Sequence, residues 1–182
     1  MKIKIKKLND KAVIPTYAHV TDAGLDLTAT SIKRDFEKDV FIYGTGLAIE
    51  IPKGYVGLLF PRSSNRNTDA YMTNHVGVID AGYRGEVMVC YKNRTVTNIA
   101  DTISDIATDF YDLIDKGNVF TNYDGLVENI LETNRNAVKQ PYNVGDRIAQ
   151  LIIVPYPCIE FEEVDELSDS DRGTNGHGST GR

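Results

Sequence analysis

The chain has 182 residues, with 20 Lys+Arg against 26 Asp+Glu, a formal net charge of −6 at pH 7 and a pI of about 5.1. That length makes one domain the default, and 41% hydrophobic with 25% charged residues is a globular rather than a disordered composition. The acidic balance argues against binding nucleic acid by counterion release, and no apolar run approaches the ~20 residues of a membrane-crossing helix. The opening MKIKIKKLND alternates charge with apolar residues and lacks the apolar segment of a secretory leader, so a cytoplasmic location is expected. Cys90 and Cys158 lie far apart without a CxxC, which indicates neither a zinc site nor a disulfide framework.

In chain order, residues 2–8 alternate, with Ile3 and Ile5 on one face and lysines on the other. Residues 40–43, 46–51, 55–60, 86–92 and 148–154 are rich in β-branched or aromatic residues and bounded by Gly, Pro, Asp or Asn. Pro52-Lys53-Gly54 is a turn between two of these runs. Many short strands with such turns predict an all-β sandwich, jelly roll or barrel.

Residues 95–140 break the pattern. Ile99, Ile103, Ile106, Phe110, Leu113 and Ile114 recur at helical spacing, with Asp101, Asp105, Asp109 and Asp112 on the opposite side. Gly117 is a stop, and Asp124 can cap a second helix carrying Leu126, Val127, Ile130 and Leu131. Eight acids against three bases give this stretch −5, nearly all of the net charge. It is expected to be a helical insertion in an all-β core of residues 1–94 and 141–170. The glycine-rich tail, 171–182 (DRGTNGHGSTGR), reads either as a flexible end or as a flap whose N–H groups wrap an anion.

Three further segments can carry chemistry. Pro61-Arg62-Ser63-Ser64 sets a fixed cation and two hydroxyls at a strand end, a combination suited to phosphate. In Val78-Ile79-Asp80-Ala81-Gly82-Tyr83-Arg84-Gly85-Glu86 a carboxylate leads a turn between strands; taken alone, Asp80 reads as the cap of that turn. Gly145-Asp146-Arg147-Ile148-Ala149-Gln150 is a turn into an apolar strand, where a buried Gln150 needs partners. Thr21-Asp22-Ala23-Gly24-Leu25-Asp26-Leu27 precedes them in the chain.

Together with the tail, these segments resemble, in order, the five motifs of the trimeric dUTPases, over the whole chain except residues 95–140. The resemblance implies a β jelly roll of the β-clip type, a homotrimer with sites at its subunit interfaces, and hydrolysis of dUTP to dUMP and pyrophosphate with Mg²⁺. It assigns to Asp80 the activation of the attacking water, a role open to a carboxylate shielded from bulk solvent. It places the Tyr83 ring against the deoxyribose, leaving no room for a 2′-hydroxyl. Asn74 and the backbone around Gly77, Val78 and Ile79 would read the uracil edge. Arg62, Ser63, Ser64 and Gln150 would hold the phosphates. Arg172, His177, Gly178, Ser179 and Thr180 would close from the tail. Asp26 would reach Mg²⁺ through water or support the fold, since phosphate oxygens carry most of that ion's coordination.

Three features depart from the family pattern: His177 stands where a Phe usually lids the uracil, Ser64 replaces a Gly, and residues 95–140 replace a short connection. A dCTP deaminase shares the fold and an Arg-Ser-Ser motif, but the position of its catalytic Glu is occupied here by Cys90. A third reading is a regulator that meets a protein partner through residues 95–140.

Overall fold

A computed structural model describes residues 1–94 and 140–175. The alternating and β-branched runs form ten strands: β1 Lys4–Lys7, β2 Leu25–Thr28, β3 Ser31–Asp35, β4 Val40–Gly44, β5 Leu47–Glu50, β6 Tyr55–Phe60, β7 Ala70–Met72, β8 Gly77–Ile79, β9 Met88–Asn93 and β10 Arg147–Pro155. One short 3-10 helix, Ser63–Asn67, follows β6.

Every pairing is antiparallel. One four-stranded sheet runs β2-β10-β6-β8, the other β3-β4-β9-β7, and β1 pairs with β5 in a two-stranded ribbon. Residues of all three sheets meet in one core, among them Leu27, Leu59, Leu151, Tyr43, Tyr91 and Leu47. The period-2 alternation of each strand sends one face into that core; in β4, for example, Phe41 and Tyr43 are buried. The all-β class expected from the sequence is what the described residues form.

β3 (SIKRD) is a strand that composition conceals. Its Arg34 lies 4.0 Å over the Phe41 ring of β4 and pairs with Asp39, so a charged residue spends its aliphatic stem and guanidinium face on packing. The expected helical insertion, apart from Gln140, lies outside the described residues, as do His177, Gly178, Ser179 and Thr180.

Three tyrosines, Tyr43, Tyr91 and Tyr142, form a buried cluster. Tyr142 packs edge-on against Tyr43 and Tyr91, with ring centres 6.0 and 5.1 Å away. Its backbone N–H donates to the Tyr43 hydroxyl (3.1 Å), and its own hydroxyl donates to Asn65 Oδ1 (2.8 Å). The Tyr91 hydroxyl donates to the Ile148 carbonyl (2.7 Å). Burial pushes Tyr43 up to about 12 and raises Tyr91 and Tyr142 as well, so all three remain protonated donors. Asn65 belongs to the 3-10 helix behind Arg62, so this buried cluster braces the loop that carries Arg62, Ser63 and Ser64.

Candidate active site

β8 pairs with β6 through Ile79↔Gly57 and Gly77↔Leu59. Its alternation buries Gly77 and Ile79 and turns Val78 outward. The strand ends at Ile79, Asp80 follows it, and the Tyr83 N–H donates to the Asp80 carbonyl (3.0 Å) to close the turn. A carboxylate acting as a turn cap would accept that N–H itself. Here the backbone oxygen does so, and the Asp80 side chain makes no hydrogen bond or ion pair among the described residues. A carboxylate held at a strand end without an internal partner is available to a ligand or a water.

Asp80 opens onto a cavity of about 300 Å³ that is also lined by Asn74, Val78, Tyr83, Glu86 and Cys90. Asn74 comes from the β7–β8 turn, where His75 takes a φ of 57° and stacks on Tyr71. The Tyr83 hydroxyl donates to the Glu86 carbonyl (2.9 Å), while Glu86 Oε1 accepts the Gly46 N–H (2.7 Å). Burial raises the Cys90 thiol, which stays neutral at the cavity wall. Neither Glu86 nor Cys90 was singled out as a lining residue by the sequence reading. An acidic residue seven positions before the end of a strand gives no sign that its side chain is spent on a distant N–H.

A second cavity, of about 560 Å³, gathers three of the phosphate candidates, Arg62, Ser63 and Gln150, and the metal candidate Asp26, with His19, Asp22 and Arg147 beside them. Asp26 is the hub. Arg62 Nε and Nη2 donate to its two oxygens at 2.6 and 3.2 Å, and Arg147 Nη1 adds a third bond at 3.0 Å. Arg62 Nη1 donates to the Ser64 hydroxyl (3.2 Å), so Ser64 steers the guanidinium. Gln150 Nε2 donates to the Pro61 carbonyl (3.2 Å), the partner its position demanded. Gly24 makes room for that amide, because a Cβ there would stand 2.5 Å from Gln150 Oε1.

Arg147 was passed over in the sequence for a physical reason. Strict alternation puts residues 147 and 150 on opposite faces of a strand. A bulge in β10 between Arg147 and Ala149, in the pairing with β2, shifts the register, and both side chains reach the same cavity. Asp22 accepts the His19 backbone N–H (2.9 Å) and lies 3.2 Å from His19 Nδ1, forming the rim.

Arg172 lines neither cavity: exposed, it donates from Nε to the Asn175 carbonyl (3.0 Å). The two cavities share no lining residue. Among the described residues, no three of His, Cys, Asp and Glu are grouped to hold a metal ion. The two cavities thus differ in character: one is edged by Asn74, Tyr83 and a carboxylate without a partner among the described residues, the other holds two arginines beside two aspartates.

The dUTPase family model matches residues 10–103 and 111–181. The chain belongs to the dUTPase family. Among its curated relatives, the deoxyuridine 5'-triphosphate nucleotidohydrolase of Corynebacterium glutamicum is 35% identical over 181 residues, spanning 99% of this chain and 95% of the relative. That of Clostridium acetobutylicum is 34% identical over 182 residues, spanning 98% and 96%. The dUTPase of Staphylococcus bacteriophage 80alpha, solved with dUpNHpp, superposes with a TM-score of 0.67 at 28% identity over 100% of this chain and 99% of that one. The dUTPase of phage phi11 of S. aureus, solved to show a species-specific insert, superposes with a TM-score of 0.61 at 25% identity over 93% and 100%. This dUTPase family member thus shares both sequence and fold with its relatives along nearly all of its length.

Proposed function

We propose that the protein hydrolyses dUTP to dUMP and pyrophosphate, with Asp80 as the general base. The observation that carries this reading is the Asp80 carboxylate, without a partner among the described residues, at the mouth of a cavity edged by Asn74 and Tyr83. A carboxylate without an internal partner can accept the proton of a water directed at the α-phosphorus. Asn74 and the Gly77–Ile79 backbone read the uracil edge, and Tyr83 covers the deoxyribose. Arg62, Ser63 and Gln150 take the phosphates, joined by Arg147, whose guanidinium lies in the same cavity. Arg guanidiniums suit this task because their donors are planar and permanently charged. Arg172 with His177, Gly178, Ser179 and Thr180 closes over the γ-phosphate and base from the tail.

The residues fit a Mg²⁺ that arrives on the triphosphate. Both Asp26 oxygens already face guanidinium groups, which leaves them suited to a water-mediated contact. The ion supplies charge neutralisation along the phosphate chain when bound. A phi11 dUTPase structure is described as coordinating a structural Mg(II) ion.

The separation of the two cavities favours a homotrimer in which the Asp80 cavity of one subunit meets the Arg62 cavity of another. Phe161 and Leu167 in the segment after β10 are 93% and 88% exposed and are available to a neighbouring subunit. The proposed architecture is a β jelly roll (residues 1–94 and 141–170) with a helical insertion at 95–140 and a flap at 171–182, working in the cytoplasm. Among the described residues no helix is long and apolar enough to cross a membrane.

The decisive experiment offers the purified protein dUTP, dCTP, dTTP and UTP with Mg²⁺ and measures pyrophosphate and ammonia. Pyrophosphate from dUTP alone is expected, from a species whose light scattering gives three chains. Ammonia from dCTP would replace the reading with a deaminase, and an active monomer would refute the shared site.

A second reading concerns residues 95–140. Phage dUTPases related to this chain are described as controlling transfer of virulence genes by a G protein-like mechanism. The acidic 95–140 segment is the part of the chain that the five motifs leave unused, and it is proposed as a surface for a protein partner. Replacing it with a short Gly/Ser connection is expected to leave dUTP turnover largely intact. A soluble, folded variant without turnover would instead assign the segment to the active site.

A further inference from the structure

Gly85 lies in the turn between Asp80 and β9, and its backbone is not in the left-handed region that favours glycine. Any L-residue could follow the same path, so conformational freedom does not explain a glycine at this position. Its surroundings do. A Cβ on Gly85 would overlap the Tyr83 phenolic oxygen and stand 2.6 Å from Cζ and 3.0 Å from Cε2. The ring of Tyr83 lies folded back over this bare backbone, and its hydroxyl is tied to the Glu86 carbonyl at 2.9 Å.

We infer that Gly85 is a specificity-determining position: its missing side chain is the seat of the Tyr83 ring, and thereby sets how strictly the site rejects a 2′-hydroxyl. The inference rests on the reading of Tyr83 as the residue that packs against the deoxyribose. Tyr83 is 42% exposed, so one face of the ring is open to the cavity and the ring has room to swing outward. A methyl group at residue 85 therefore moves the end of a side chain rather than the backbone. The displaced ring loses its bond to Glu86 and its fixed distance from the sugar, while the hairpin that carries Asp80 stays in place.

Glu86 makes the seat rigid from below. Its carboxylate holds the Gly46 N–H just before β5, so the carbonyl that receives the Tyr83 hydroxyl belongs to a residue pinned to the β4–β5 turn. Two independent fixings, one steric and one by hydrogen bond, thus define a single ring position. Gly85 acts through Tyr83 and is a positioning residue.

The test is a cycle of Gly85→Ala, Tyr83→Ala and the double variant, each assayed with dUTP and UTP. In Gly85→Ala the dUTP-over-UTP ratio of kcat/KM is expected to fall by about tenfold or more, as a wall that excluded a hydroxyl is lost. In the Tyr83→Ala background the same Gly85→Ala change is expected to add nothing, because two residues acting through one contact are not additive. An additive loss, or an unchanged ratio in a folded Gly85→Ala protein, overturns the inference. If Gly85→Ala does not fold, the double variant must, since removing the ring removes the overlap; a double variant that is also unfolded overturns it. If Tyr83→Ala itself keeps full discrimination, it is the reading of Tyr83 that fails.

Discussion

Asp80→Asn is expected to leave a folded protein that still binds dUpNHpp and to lower kcat for dUTP by about 10²–10⁴-fold, the usual worth of a positioned general base. The amide keeps the shape and the hydrogen-bonding reach of the carboxylate while removing its basic oxygen. The fold has no stake in the exchange: the turn is closed by the Asp80 backbone carbonyl, and the carboxylate makes no bond within the described chain. Thermal unfolding should therefore be nearly unchanged, and steady-state kinetics should show the loss in kcat with little change in KM. Turnover close to the parent value would return Asp80 to the role of a turn residue. A large drop in melting temperature would do the same by a different route.

The strands that form the core and the order of the motifs were legible in the sequence because both depend on local pattern. β4, β6 and β10 are runs of β-branched and aromatic residues between turn formers, and they fold close to where those runs predict. β3 was not legible, since three of its five residues are charged and its strand state depends on Arg34 packing over a ring in β4. The same limit applied to the site. Arg62, Ser63, Gln150, Asn74 and Tyr83 could be named from motifs, and the structure brings them to two cavities. Arg147 could not, because a bulge in β10 reverses the face that alternation predicts. The role of Gly85 was equally hidden: a glycine in a turn looks like a conformational necessity, and only the fold brings a φ that needs none together with a ring that needs the space. Pairing across sheets, register shifts and close approaches are non-local, and no window of sequence carries them.

Arg62→Ala carries the second large effect, an expected fall in kcat/KM for dUTP of about 10²–10³-fold, comparable to removing one donor that stabilises developing charge. Arg62 already spends Nε and Nη2 on Asp26 and Nη1 on Ser64. That network holds the guanidinium still before substrate arrives, so little ordering cost remains when phosphate oxygens approach it. Removing the side chain leaves Arg147 as the one arginine lining the cavity against Asp22 and Asp26, which tips the charge balance there from even to negative as well as deleting a donor. The Asp26 side chain is 21% exposed, so water can solvate the oxygens that Arg62 vacates and the fold should survive. Arg62→Lys distinguishes charge from geometry. A lysine restores the positive charge but lacks the planar fork that meets Asp26 through two nitrogens, so it is expected to recover only part of the lost rate. Recovery to the parent kcat/KM would show that the cavity needs a cation of any shape at this position. An Arg62→Ala protein with undiminished kcat/KM would remove the second cavity from the phosphate site altogether.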